Sequence, residues 1–221
     1  MRKFLFGIVL SVLCAATAGA QSKVSVDNDF VRIISATEAP HAKGSLHRHQ
    51  FNRVMVYLDA GDIDINWEGG NTDHEHWKAG QVAWSPAGGM HTSENVGSAS
   101  IRLVEIELKQ SAPAEPPVRK RELDPIALDP THNELIFEND QVRVFRSWRE
   151  PGASETMHEH VGRGRVAVFL TDAEGTAKLG DGRVAALHES AGDASWTAGS
   201  VTHAVTNTGA KKFEVIVVEV K

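Results

Sequence analysis

Residues 44–53 read GSLHRHQFNR, and residues 157–165 read MHEHVGRGR. Each stretch has two histidines separated by one residue and an arginine a few positions later: His47, His49 and Arg53, then His158, His160 and Arg165. In a β-strand, residues i and i+2 point to the same face, about 6.5 Å apart, so two such imidazoles can bind one metal ion. The duplication indicates a repeated β structure with a metal site in each copy.

The rest of the chain repeats in the same way. DNDFVRIIS (27–35) aligns with ENDQVRVFR (138–146) at an offset of 111 residues, and RVMVYL (53–58) aligns with RVAVFL (165–170) at an offset of 112. A histidine near the end of each copy, His91 or His203, follows the pair by 42 to 43 residues and could reach it from a facing strand. So many scattered identities predict two tandem copies of one unit.

The first 20 residues have the pattern of a signal peptide. Arg2 and Lys3 precede the apolar stretch FLFGIVLSVL, and AGA at 18–20 fits a cleavage site. We therefore expect cleavage after Ala20 and a periplasmic or secreted protein; an uncleaved N-terminal anchor is the alternative. The predicted organisation is a signal peptide (1–20), an N-terminal domain (21–108), a proline-rich linker (109–132) and a C-terminal domain (133–221).

Charge and cysteine usage exclude several classes. The chain has 23 Lys and Arg against 29 Asp and Glu, a formal charge of −6, and loss of Arg2 and Lys3 lowers it by two to −8. An acidic chain is a poor partner for nucleic acid. The single cysteine, Cys14, lies in the signal peptide, so the mature chain must fold without disulfides. No further long apolar run predicts a membrane partner after cleavage.

Short apolar runs such as RVMVYL, IRLVEIEL and FEVIVVEV are typical of strands, and the turn-rich segments EGGNTD, GDGR and NTGAKK separate them. No segment has sustained helical periodicity. The pattern predicts an all-β sandwich or barrel in each copy.

The histidine motifs carry a family resemblance. GQVAWSPAGGMHTSEN (80–95) fits the second cupin motif at every position, and GDASWTAGSVTHAVTN (192–207) keeps its glycine, histidine and asparagine. Gly152, His158 and His160 match the first motif, whereas His41 stands at the glycine position of the other copy. The chain resembles a bicupin over 24–108 and 133–221. The resemblance implies two tandem cupin-type antiparallel β-barrels of jelly-roll type, the double-stranded β-helix, each with an internal pocket.

The resemblance also implies metal binding by the motif histidines. The candidate ligands are His47, His49 and His91 in the first copy and His158, His160 and His203 in the second. Iron is the first expectation, with manganese, nickel, copper and zinc as alternatives. Because the first copy keeps the whole second motif, we favour it over the second as a metal site. The alternative is a pair of metal-free barrels with hydrogen-bonded pocket histidines.

Both copies depart from the family at its fourth ligand. Arg53 and Arg165 stand where cupins have a glutamate, and arginine stays protonated and cannot bind a metal. Its planar fork matches a carboxylate, which suggests that it binds an anionic substrate beside the metal. Alternatively, the arginines leave the barrel mouth or pair with a structural carboxylate, for which Glu105, Glu107 and Glu219 are candidates.

These features favour an exported metal cupin that binds a small anionic molecule, such as an aromatic acid, with dioxygenase activity as the leading reaction. A non-catalytic periplasmic protein that binds a small molecule or a metal is the second hypothesis. A metal-free scaffold that contacts other proteins or forms a homodimer is the third. Trp84 and Trp196 could line a ligand pocket or pack between the barrels, and His74, His76 and His188 could form a second cluster or lie on exposed strands.

Overall fold

The structure, a computed structural model, describes residues 21–221. The predicted signal peptide lies outside the described residues. Nine strands form the first half: β1 Gln21–Asp27, β2 Val31–Glu38, β3 His47–His49, β4 Asn52–Tyr57, β5 Gly61–Trp67, β6 Thr72–Trp77, β7 Val82–Ser85, β8 Gly88–Asn95 and β9 Ile101–Leu108. Nine more form the second half: β10 Asn133–Glu138, β11 Val142–Arg149, β12 His158–His160, β13 Gly164–Phe169, β14 Ala173–Leu179, β15 Val184–Glu189, β16 Ala194–Ala198, β17 Val201–Asn207 and β18 Phe213–Val220.

Each half folds into two antiparallel sheets. The first half has a five-stranded sheet of order β1-β2-β9-β4-β7 and a four-stranded sheet of order β3-β8-β5-β6. The second half has the orders β10-β11-β18-β13-β16 and β12-β17-β14-β15, which are the same orders with every strand number raised by nine. The prediction of an all-β, antiparallel fold is confirmed.

The inner strands of the two five-stranded sheets are buried on both faces. One apolar cluster joins valines and isoleucines of both halves, including Val54 and Ile106 of the first and Val166 and Val218 of the second. The opposite face of each sheet packs inside its own half against the four-stranded sheet. Burial on both faces explains why these strands read as nearly continuous apolar runs rather than as alternating ones.

The segment between β9 and β10 contains a 3₁₀ turn, Arg121–Leu123, and a single-turn helix α1, Pro125–Leu128. Asp124 starts the helix by accepting hydrogen bonds from the amides of Ile126 and Ala127. Within residues 21–221, no helix is long and apolar enough to cross a membrane.

Candidate metal centres

Strand pairing brings the three histidines of each copy together. His47 of β3 lies directly opposite His91 of β8, and His158 of β12 lies directly opposite His203 of β17. The second histidine of each pair points to the same face because it is two residues further along the strand. The third histidine therefore comes from the neighbouring strand of the same sheet, and the expectation of a facing strand was wrong.

In the C-terminal half, the three imidazoles converge through their Nε2 atoms. The Nε2 atom of His160 lies 3.1 Å from that of His158 and 3.0 Å from that of His203. All three side chains are buried. Ligands that lie about 2.1 Å from one metal ion and at right angles to each other are about 3.0 Å apart, so these spacings fit a metal centre.

Hydrogen bonds on the other ring nitrogens fix the tautomers. The Nδ1 atom of His158 donates to the carbonyl oxygen of Thr156 over 2.9 Å, and the Nδ1 atom of His160 donates to Oε1 of Glu219 over 2.8 Å. A carbonyl oxygen can only accept, so the proton of His158 is on Nδ1 and its Nε2 carries a lone pair. Nε2 lone pairs that face each other repel unless a cation lies between them. The residues therefore fit a bound metal ion.

The N-terminal triad has the same arrangement with less burial. The Nε2 atoms of His47 and His49 lie 3.0 Å apart, and Nδ1 of His47 donates to the carbonyl oxygen of Ser45 over 2.8 Å. His91 is buried and faces Gly89 O through Nδ1 at 3.2 Å, whereas the other two histidines are half-buried. Three neutral imidazoles that leave further coordination positions open suit iron, manganese, nickel, copper or zinc.

Burial lowers the pKa of His49, His91, His160 and His203, which favours the neutral form that binds a metal. Burial, followed by the charge of Arg53, lowers the pKa of His49 to about 3. Burial and then the charge of Arg165 hold the pKa of His160 well below its ordinary value and also lower the pKa of His203.

The two arginines have different surroundings. Arg53 donates from Nη1 to Oε2 of Glu105 over 3.1 Å and from Nη2 to Oγ of Ser85 over 2.7 Å. Its positive charge is therefore compensated inside the protein. Pairing with Glu105, one of the alternatives drawn from the sequence, is what the structure shows for Arg53.

Arg165 has no salt-bridge or hydrogen-bond partner among residues 21–221, and its buried Nε atom, like that of Arg53, is unpaired. The nearest carboxylates are already engaged, because Glu155 is 2.9 Å from Nη2 of Arg149 and Glu219 is 2.7 Å from Nη2 of Arg119. Burial lowers the pKa of Arg165. The guanidinium faces the cavity that holds His158, His160 and His203.

The two cavities differ in size and lining. The C-terminal cavity measures about 110 Å³, and its walls are mainly apolar, with Phe145, Phe169 and Phe213 beside Arg165, although Glu155 and Glu189 also line it. The N-terminal cavity measures about 660 Å³ and contains several carboxylates and tryptophans beside the triad.

The turn before each histidine pair explains one departure from the cupin motif. Gly152 has φ 76° and His41 has φ 58°, so both positions lie in the left-handed region. Glycine adopts this conformation freely and other residues do so at a cost. The backbone therefore keeps the same turn where the sequence has lost its glycine.

Sequence reasoning missed residues that support the C-terminal triad. Glu219 was considered only as a partner for an arginine, yet it hydrogen-bonds His160. Arg119, in the segment before β10, reaches Glu219 across 100 residues of sequence. No local pattern marks such a pair, and the only signal in the sequence is that Arg119 begins the basic run RKR (119–121).

The remaining candidates do not belong to the triads. His74 and His76 are exposed on β6 and pair with Asp64 and Asp62 over 2.7 Å. His188 lies on β15, opposite Glu174. Trp84 and Trp196 pack against the apolar cluster shared by the two halves, and Trp84 also lines the N-terminal cavity.

Known structures resemble this chain over most of its length. AerE from Microcystis aeruginosa is 14% identical, with a TM-score of 0.67 over 94% of this chain and 95% of that one. Oxalate decarboxylase from Bacillus subtilis, an enzyme with Mn(II) centres, is 13% identical, with a TM-score of 0.61 over 90% of this chain and 72% of that one. No protein-family model and no curated protein matches. These likenesses confirm the predicted fold of two tandem cupin-type barrels.

Proposed function

We propose that this chain is an exported bicupin metalloprotein whose C-terminal barrel binds a divalent metal and a small carboxylate. His158, His160 and His203 would hold the metal, with iron as the first expectation. Arg165 would bind the carboxylate. The observation that carries the proposal is that Arg165 has no ionic partner among the described residues and faces the same cavity as the three imidazoles.

Charge compensation supports an anionic ligand. An unpaired charge inside a protein is costly, and a divalent cation in the same cavity would add repulsion because the interior screens poorly. One carboxylate compensates both positive groups when one oxygen faces the metal and the other accepts from the guanidinium. Arginine suits this role because its parallel N–H groups match the two oxygens of a carboxylate.

The cavity volume limits the size of the acid. A cavity of about 150 Å³ holds one benzene molecule. A volume of about 110 Å³ therefore favours an acid of a few atoms over an aromatic acid. Oxalate decarboxylase, which resembles this chain in fold, is named for a substrate of that size.

For the reaction, we propose a dioxygenase-type oxidation, in which both atoms of O₂ enter the substrate and no external reductant is consumed. A bound metal would supply Lewis acidity and redox chemistry. Arg165 would hold the substrate carboxylate in one orientation, and the phenylalanine walls would exclude water. A non-catalytic binding protein is the second candidate, because the same site would also serve retention of a small acid.

The test begins with elemental analysis of the mature protein purified without a metal-binding tag. We expect near-stoichiometric metal that decreases in His158→Ala/His203→Ala. Calorimetry of the metal-loaded protein with formate, acetate, oxalate and benzoate should show binding of the small acids, which Arg165→Gln weakens and the matched control Arg53→Gln does not. If wild type and Arg165→Gln bind these acids equally, the carboxylate role is wrong.

Two further measurements test the proposed oxidation and the proposed export separately. O₂ uptake by the Fe(II)-loaded protein with a bound acid would support the oxidation. Binding of the acid without O₂ uptake would favour the non-catalytic binding protein. Expression of the full chain in a Gram-negative host, followed by mass spectrometry of the periplasmic product, should give an N-terminus at Gln21.

A further inference from the structure

One of the repeat positions at which the two barrels differ faces the cavity and lies beside the arginine. In the pairing of β4 with β9, Met55 lies opposite Glu105, and in the pairing of β13 with β18, Ala167 lies opposite Val217. Glu105 and Val217 therefore occupy equivalent positions, 112 residues apart. Each lies beside the arginine of its own barrel, because that arginine is two residues before Met55 or Ala167.

We propose that position 105/217 selects the charge of the ligand: Val217 lets the C-terminal barrel bind an anion, whereas Glu105 makes the N-terminal barrel exclude anions. This inference rests on the proposed function for its anion site and adds a determinant and a second ligand class. The N-terminal cavity would take an uncharged or cationic molecule that donates hydrogen bonds.

In the N-terminal barrel, the protein itself supplies the anion. The carboxylate of Glu105 and the hydroxyl of Ser85 occupy both terminal nitrogens of Arg53, which is only 8% exposed. An external carboxylate would have to displace Glu105 and would meet its charge. In the C-terminal barrel, Val217 has no polar atom, and Thr197, which stands opposite Arg165 as Ser85 stands opposite Arg53, makes no hydrogen bond to Arg165 within residues 21–221.

The lining of the N-terminal cavity supports a donor ligand. Its two basic residues are both paired, because Lys43 contacts Glu94 at 3.2 Å and Arg53 contacts Glu105. The carboxylates of Glu38 and Glu75 line the same cavity, and the buried Oε2 atom of Glu38 has no hydrogen-bond partner. An unpaired acceptor in a negatively charged cavity favours a ligand that brings N–H or O–H groups and disfavours an anion.

Aromatic walls and volume agree with a larger ligand. Tyr57 and Trp77 stack with their ring centroids 3.7 Å apart, and Trp67 lies beside His91. With about 660 Å³ of space, the cavity accepts a molecule several times larger than the C-terminal one does. Flat aromatic faces beside carboxylates suit the C–H and O–H surfaces of a polyol or the charge of an amine.

Reciprocal substitutions at positions 105 and 217 test the selector, with acetate as the probe. Acetate binding is measured by calorimetry on the Co(II)-loaded protein and by the visible spectrum of the bound Co(II). In a background with the C-terminal triad disabled (His158→Ala/His203→Ala), Glu105→Val should let the N-terminal barrel bind acetate. We expect a gain of about 10- to 100-fold, the range that hydrogen bonds to a charged group supply. Adding Arg53→Gln should remove the gain.

In the complementary background, His47→Ala/His91→Ala, the substitution Val217→Glu should weaken acetate binding to the C-terminal barrel by a similar factor. Val217→Gln is the matched control for size, and it should weaken binding less because it carries no charge. Glu105→Gln, which keeps the shape of the side chain, replaces Glu105→Val if the valine variant does not fold.

The outcomes separate this inference from the proposed function. Acetate binding by the wild-type C-terminal barrel together with no gain from Glu105→Val or Glu105→Gln overturns the selector and leaves the proposed function intact. No acetate binding by the wild-type C-terminal barrel overturns the proposed anion site, whereas a gain in the N-terminal barrel would still support position 105 as the selector. Acetate binding by the N-terminal barrel with Glu105 in place would contradict the inference directly.

Discussion

Glu219 accepts the Nδ1 proton of His160 over 2.8 Å, with a side chain that is 1% exposed. Its other carboxylate oxygen accepts from Nη2 of Arg119 over 2.7 Å. A metal-binding histidine whose second nitrogen donates to a carboxylate has a fixed ring orientation and a more basic free nitrogen. A residue outside both barrels, Arg119, thus helps to orient a ligand of the C-terminal metal centre.

Replacing Glu219 by glutamine keeps an oxygen for His160 and removes the charge. We expect Glu219→Gln to weaken metal binding by the C-terminal barrel by about 10- to 100-fold, measured by competition with a chelator. Glu107→Gln is the matched control, because Glu107 is the equivalent residue and pairs with Arg32 rather than with a triad histidine. Equal effects of the two substitutions would mean that the contact with His160 does not tune the metal.

Gly164 stands one residue before Arg165 and has φ 153°. A Cβ atom there would lie 2.4 Å from the carbonyl oxygen of Thr197 and 2.4 Å from the ring of Trp196. Gly164→Ala should therefore lower the free energy of unfolding by about 1–3 kcal/mol and weaken acetate binding, since strand β13 must shift with Arg165 on it. Gly182→Ala is the control: it also has positive φ, at 88°, but open space around it. Chemical denaturation should show a larger decrease in the free energy of unfolding for Gly164→Ala than for Gly182→Ala. A similar decrease in both would contradict the steric overlap at Gly164.

Much of the fold could be predicted from the sequence, because apolar strands and paired histidines are local patterns that occur twice. One residue between the paired histidines places both on the same face of a strand, and the repeat offset identifies the third histidine. The sequence could not say which carboxylate meets which arginine. Glu105, Glu107 and Glu219 all lie on last strands. The register places Glu107 opposite Arg53 and Glu219 opposite Arg165, yet Arg53 bonds Glu105 and Glu219 bonds His160, so side-chain packing decides these contacts.

The segment between the barrels shows a second limit of prediction from the sequence. Its prolines predict an extended connection, but proline content carries no information about contacts that are distant in sequence. Arg119 and Asp124 are paired with residues 100 and 19 positions away. The preference for the first barrel as the metal site came from its more complete motif, whereas burial and the convergence of three Nε2 atoms favour the second.

The apolar cluster shared by the two halves predicts that they unfold together. Ile106 is fully buried in this cluster, and Ile106→Ala should lower the free energy of unfolding by about 2–5 kcal/mol. We expect one calorimetric transition in wild type, shifted as a whole in the variant. Ile63→Ala, which changes the core of the first barrel alone, is the variant with which the transition of Ile106→Ala is compared. Two separate transitions, of which Ile106→Ala moves only one, would show that the halves fold independently.

Asp124 fastens the connecting segment to the second barrel. Its carboxylate accepts from Nη1 and Nη2 of Arg143 over 2.6 and 3.1 Å, and both residues are buried. Loss of this carboxylate would leave the buried Arg143 with only longer contacts, to Glu219 at 3.7 Å and Glu138 at 3.8 Å. Asp124→Asn should therefore cost about 3–5 kcal/mol in the free energy of unfolding, whereas Asp181→Asn, an exposed pair with Arg183, should have little effect.

The stabilisation by Asp124 should depend on pH with a defined sign. Burial alone would raise the pKa of Asp124, but the hydrogen bonds from Arg143 and from the helix amides outweigh it and lower the pKa. The unfolded chain therefore takes up the proton at a higher pH than the folded one, so the contribution is complete above an ordinary aspartate pKa of about 4 and is lost as pH falls through the lowered value. Urea denaturation of wild type and Asp124→Asn should show a constant difference between pH 5 and 7 that narrows below about pH 4. A difference that persists unchanged to pH 2 would mean that packing, and not the ion pair, supplies the stability.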